Sequence, residues 1–119
     1  MPTLEQKTVY ATYADEETIG FCVSQQEARP TGDWLQIPES LVARLVSLGQ
    51  AYDLHHVPMI DLHGETLFNS AQVQNIDFEL RFLATVIRDA ALEHVIQQLL
   101  PLLERVAHNG SLSLVVVGP

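Results

Sequence analysis

The sequence predicts one α+β domain over residues 1–119. It has a small mixed or antiparallel sheet, formed by an N-terminal hairpin and a C-terminal strand and packed against about three helices. Three observations predict it. Two β-rich stretches open the chain, segments with helical apolar spacing fill its middle, and the β-branched run "SLSLVVV" closes it at 111–117. A sheet covered by helices on one face would bury each apolar surface. At 119 residues the chain has the length of one ordinary domain and can bury a core without staples.

The first stretch, "KTVYATYA" at 7–14, is rich in Thr, Val and Tyr, which suit a strand. The second, "ETIGFCVSQQ" at 17–26, reads the same way. Asp15, Glu16 and Glu17 connect them, so an antiparallel hairpin with an acidic tip is expected. Pro30 and Gly32 then mark a loop over 27–33.

"IPESLVARLVSLGQ" at 37–50 reads as a helix with Pro38 in its first turn and Gly49 as its stop. Leu41, Val42, Leu45, Val46 and Leu48 form its apolar face. "HVPMIDLHG" at 56–64 has room for a short strand, limited by Pro58 to an edge or a strand start. "ETLFNSAQVQN" at 65–75 reads as polar and turn-rich.

"NIDFELRFLATVI" at 75–87 satisfies two periods. Ile76, Phe78, Leu80 and Phe82 alternate with Asp77, Glu79 and Arg81 as in a strand. At helical spacing, Asp77, Arg81, Thr85 and Arg88 share one polar stripe, with Asp77 and Arg81 as a favourable i,i+4 pair. The strand pattern fails at Leu83 and Ile87, so a helix over 76–87 is predicted, with Asn75 as its N-cap. Glu79 then lies at the edge of the apolar arc. "DAALEHVIQQLLPLLERVAHN" at 89–109 is a second amphipathic helix, with Pro101 on its solvent side, where it should bend the helix rather than end it. Asn109 and Gly110 stop it, and the final strand, nearly continuous in apolar residues, suits a central place in the sheet.

Composition bounds the function. Fifteen acidic residues against six basic ones give a formal charge of −9. That balance argues against binding to nucleic acid or to an anionic membrane and would steer a basic protein partner. It also serves solubility alone. Cys22 is the only cysteine, flanked by Phe21 and Val23, so no internal disulfide can form and a buried, inert thiol is expected. No signal peptide and no membrane-spanning run is visible, which fits a reducing cytoplasm.

Chemistry-bearing residues concentrate in "HHVPMIDLHGE": His55, His56, Asp61, His63 and Glu65. On a strand, Asp61, His63 and Glu65 would share a side and could ligate zinc or another transition metal. Their spacing matches no established metal motif, and the plainer reading is a His-rich polar loop, so no metal or other cofactor is expected. No nucleophile elbow, P-loop or dinucleotide fingerprint occurs. Glu79 could act as an acid or base with a raised pKa, or it could pair with Arg or cap a backbone group. Trp34 could anchor a partner or lid the core beside the first helix.

"TLFNSAQVQNIDFEL" at 66–80 resembles a pattern in small bacterial immunity-like proteins of toxin systems. The residues are Leu67, Phe68 and Asn69, then Gln72, then the pair Glu79–Leu80. The "IP" and Leu-rich helix at 37–48 and the closing strand resemble the same layout, over about half the chain. The resemblance implies a small α+β fold that neutralises a cognate toxin by binding it, without catalysis. Immunity surfaces differ with each toxin, so it transfers no site residue. The expected function is therefore protein binding, with Asp15, Glu16, Glu17 and Trp34 as candidate contacts. The alternatives are a small enzyme or metal-binding protein built on His55–Glu65, or a structural homo-oligomer.

Overall fold

Strand β1 (Thr18–Gln25) organises the sheet because it is flanked on both edges. The computed structural model describes residues 16–25, 29–30 and 33–119. Two short strands share one edge of β1. Strand β2 (Arg29–Pro30) pairs with its C-terminal end and β3 (Leu35–Pro38) with its N-terminal half. On the other edge lies β5 (Leu112–Val117), and beyond it β4 (Glu65–Asn69). Every pairing is antiparallel. The closing strand is central, as its apolar run predicts.

The helices lie between the strands in sequence: α1 (Glu39–Ala51), α2 (Ser70–Val86) and α3 (Ala90–Ala107). Ile19, Phe21 and Val23 of β1, Phe68 of β4 and Leu114 and Val116 of β5 point to one side of the sheet. They join Leu41, Val42 and Leu45 of α1, Val73, Ile76, Leu80 and Leu83 of α2, and Leu92, Val95, Ile96, Leu99, Leu103 and Val106 of α3 in one cluster. The fold is α+β, and among the described residues three helices pack on one face of an antiparallel sheet. None of the described helices is long and apolar enough to cross a membrane.

Several boundaries differ from expectation. The strand expected at 7–14, and with it the hairpin having Asp15 at its tip, lies outside the described residues. The hairpin that is described pairs β1 with β2 and β3, using part of the expected loop. Ile37 and Pro38 belong to β3 rather than to α1, so Pro38 is the N-cap and offers no side-chain acceptor.

Gly49 does not stop α1 but lies buried inside it. A Cβ there would sit 3.1 Å from the Pro58 ring, so the glycine permits the next segment to pack close. The actual stop is at Asp53, which takes a left-handed φ of 60°. Leu54 N donates to Gly49 O at 2.8 Å and Asp53 N to Gln50 O at 3.1 Å, the two bonds of a Schellman end.

The short strand expected within 56–64 is instead a 3₁₀ turn at Val57–Met59, because Pro58 sits in its first turn, where the fixed φ suits a helix. The segment read as polar and turn-rich contains β4 and the start of α2. Helix α2 begins at Ser70, not at 76, and its N-cap is Asn69, not Asn75. Asn69 accepts from Gln72 N at 2.8 Å, and Gln72 Oε1 accepts from Asn69 N at 2.9 Å. This is a reciprocal capping box. The helical reading of the ambiguous stretch holds, with Arg81 bonded to Asp77 at 2.7 Å. Helix α3 runs through Pro101, which is exposed.

Candidate functional site

The side chains of the His-rich segment turn to different partners. His55 is exposed, whereas His56 turns inward to Glu79. Asp61 folds back on its own loop, accepting from His63 N at 3.0 Å, and its backbone N–H donates to Thr66 at 2.9 Å. His63 faces Glu39 across 4.0 Å. Glu65 lies on β4, exposed. Among the described residues no three His, Cys, Asp or Glu side chains converge in a way that could hold a metal ion.

Glu79 is buried, at 6% exposure, and each of its oxygens is engaged. Val57 N donates to Oε1 at 2.8 Å, His56 N lies within 3.2 Å of both oxygens, and His56 Nδ1 is 3.0 Å from Oε2. The 3₁₀ turn begins at Val57, and its first N–H groups have no partners within the turn. Glu79 supplies them from α2 and so ties that turn to the helix. The backbone-capping alternative accounts for this residue. The cavity among the core side chains measures about 20 Å³ and is lined only by apolar residues such as Val57, Ile76 and Leu80, too small for a substrate.

The acidic tip resolves into different roles. Asp15 lies outside the described residues. Glu16 is half-buried and accepts from Ser40 N at 3.2 Å and Ser40 Oγ at 2.9 Å. It caps α1 from outside, in place of the Pro38 side chain. Glu17 is exposed, and its carbonyl accepts from Glu39 N at 2.9 Å. Trp34 does not lid the core. It lies against Gly20, on the sheet face opposite the core cluster, and is 37% exposed.

One candidate surface escaped sequence reasoning. On α2, Phe78 is 73% exposed, the most exposed of the large hydrophobic side chains described. Phe82 and Val86 follow at i+4 and i+8, so the three share a stripe. Phe82 meets Tyr52, from the end of α1, edge to face at 5.4 Å between ring centroids. Tyr52 and Val86 are themselves 43% and 41% exposed. The signal lies in the helical period: Phe78 falls midway between Asn75 and Arg81, on the polar side of the helix.

Two titratable groups on or beside α3 are perturbed. Burial lowers the pKa of His94 and so favours its neutral form. Burial pushes the Asp89 carboxyl up, but the Leu92 N–H, Arg44 and the Ala91 N–H outweigh it, and the net shift is downward. Both follow from helix packing and capping. Comparison with protein families, curated proteins and solved structures gives no match to this chain.

Proposed function

We propose that this is a protein-binding module that docks through the aromatic stripe of α2. The observation that carries the reading is Phe78, an aromatic side chain exposed at 73% beside the Tyr52–Phe82 pair. Scattered single exposed hydrophobics are ordinary, but adjacent aromatic groups on a rigid helix are the usual anchors of an interface. Burying one such ring contributes about 1.5–3 kcal/mol. The formal charge of −9 adds attraction for a basic partner and speeds its encounter. The sharpest version is an immunity-type inhibitor that neutralises a basic toxin by occupying its surface.

The chemistry-bearing residues support binding over catalysis, because Glu79, Glu16 and Asp61 are engaged in holding their own backbone. The test is capture from the native host with a photo-crosslinking residue in place of Phe78, followed by affinity measurement with Phe78→Ser. Loss of at least about tenfold in affinity is expected for an anchor of this size. A partner that binds Phe78→Ser unchanged overturns the reading. Light scattering decides whether the captured partner is a second copy, which would make the stripe a homo-oligomer interface instead.

A further inference from the structure

The side of the sheet turned away from the helices is closed at its centre. On β1 and β5 the core residues alternate with a second set that points the other way: Gly20, Cys22 and Ser24, and Val115 and Val117. Cross-strand partners share a face, so Cys22, Val115 and Leu67 form one row, and Ser24, Ser113 and Asn69 the next. Cys22 and Ser24 are fully buried and Val115 is 3% exposed, yet neither Cys22 nor Val115 belongs to the core cluster. Around them Leu67, Val117 and Trp34 are 49%, 36% and 37% exposed.

A bare sheet face leaves such side chains in water, and the three helices pack on the other side. The cover therefore comes from residues 1–15, 26–28 or 31–32. The last two are short links at strand ends. Residues 1–15 reach about 50 Å when extended, whereas β1 rises only about 20 Å from Thr18 to Ser24. They start from Glu16, which Ser40 holds at the beginning of α1. No place beside β1 in the sheet is open to them, because β3 pairs with it over Thr18–Phe21 and β5 over Gly20–Gln25. A strand at 7–14 cannot form a flat hairpin with β1, but it can fold over the outer face.

The chemistry of the two sides fits. In "KTVYATYA", Val9, Ala11 and Tyr13 fall on one side of a strand and Thr8, Tyr10 and Thr12 on the other. Opposite them Gly20, Cys22 and Ser24 are small, so a backbone can approach closely. Ser24 Oγ is buried without a hydrogen-bond partner among the described residues. Buried hydroxyls need one, and an extended backbone above it carries the N–H and C=O groups to supply it.

We propose that residues 7–14 lie extended across the outer face of β1 and β5, with Val9, Ala11 and Tyr13 against Cys22, Ser24 and Val115. The occupant of this face is the chain's own N-terminal segment, not a partner or a second copy. The inference is independent of docking through Phe78, which lies on α2.

Cys22 is the only cysteine, so its thiol reports the cover directly. In the intact protein it should react with a thiol-specific disulfide reagent at least about a hundredfold more slowly than in urea. Val9→Lys and Tyr13→Lys should speed the reaction about tenfold or more, with circular dichroism unchanged. Thr8→Lys and Thr12→Lys, on the opposite side, should change it by less than about twofold. A fast thiol in the intact protein overturns the proposal, and so do equal effects of the two pairs. Where a lysine variant unfolds, a diazirine amino acid replacing Val9 gives a second reading. Its crosslinks are expected within one chain, to 18–25 or 112–117. Crosslinks to the helices overturn the proposal, as do crosslinks between two chains, which would put a second copy's segment on this face. None of these measurements involves Phe78 or a partner, so their failure leaves the binding reading standing.

Discussion

At the 3₁₀ turn, Glu79 gives both carboxylate oxygens to groups of its own chain, whereas Glu17 and Glu65 face solvent. The same functional group does two jobs, and burial decides which. A carboxylate 6% exposed must be satisfied from within, and three donors from the 56–57 segment satisfy it. An exposed carboxylate is satisfied by water and remains available to a partner. Asp89 and Glu16 fall between, partly buried and used as helix caps. Stability effects should therefore track burial, and binding effects should run the other way.

The largest effect should come from Glu79. Glu79→Ala leaves the His56 and Val57 N–H groups without their acceptor in a buried place. The expected loss is about 3 kcal/mol, because each buried orphan donor costs about 1–3 kcal/mol. Glu79→Gln keeps the shape and one good acceptor, so it should lose less. Urea denaturation of both variants measures this. A loss below about 1 kcal/mol for the alanine variant would break the comparison, since it would mean that the turn satisfies itself.

Asp89 comes next. It is the N-cap of α3, accepting from Ala91 N at 3.0 Å and Leu92 N at 3.1 Å, and it pairs with Arg44. Asp89→Ala should cost about 1–2 kcal/mol, mostly through the cap, because the Arg44 partner is largely exposed. The pH sign follows from the lowered pKa. The stabilising contribution is present above the ordinary carboxylate range and is lost as pH falls through the lower folded value. Wild type and variant should thus converge in stability in strong acid. His94 adds a loss that begins higher: its folded pKa lies below the ordinary value of about 6.5, so stability falls as pH drops from there toward the folded pKa. His94→Gln should flatten that upper part of the profile in a pH series of thermal melts.

Much of this architecture is legible in the sequence where one period dominates. Helix α3, the closing strand and β1 carry long apolar patterns, and their positions follow. The misreadings lie where tertiary contact overrides local signals. "ETLFN" is a strand because Phe68 reaches the core while Leu67 faces outward, and its turn-like flanks, Gly64 and Ser70, hide this. Asn75 resembles a cap, but Asn69 and Gln72 form the reciprocal one. Those two residues also carry part of the likeness to immunity proteins, and local capping explains their spacing without any shared function. Gly49 resembles a stop, yet it serves the close approach of Pro58. Of the candidate surface, Phe78 could be named, but its neighbourhood with the Tyr52–Phe82 pair comes from tertiary packing. The row from Cys22 to Leu67 exists only through strand register, which links residues far apart in sequence.

Glu16 sharpens the comparison within one dipeptide. It adjoins Glu17 in sequence, yet only the Glu16 side chain caps α1, through Ser40, while Glu17 contributes its backbone carbonyl to Glu39 N. Glu16→Gln should cost about 0.5–1 kcal/mol, the range of a weakened N-cap. A cost shared equally between Glu16→Gln and Glu17→Gln would show that net charge, not the cap, sets the effect.

The smallest stability effect should come from the exposed carboxylates Glu17 and Glu65. Glu17→Gln and Glu65→Gln remove charges that face water and hold no buried donor, so each should change stability by less than about 0.5 kcal/mol. With a formal charge of −9, losing a carboxylate also relieves self-repulsion, and the sign of that term is stabilising. The double variant should therefore melt within a few degrees of wild type, and at or above it in low salt. Its binding should move in the opposite direction, with slower association to a basic partner and a weaker dependence on salt. Measuring both on the same preparation separates the two uses of a carboxylate. A double variant that loses more than about 1 kcal/mol would place Glu17 or Glu65 with Glu79, as a group holding the fold. A stable double variant with unchanged association at every salt concentration would leave the acidic face without a role in steering.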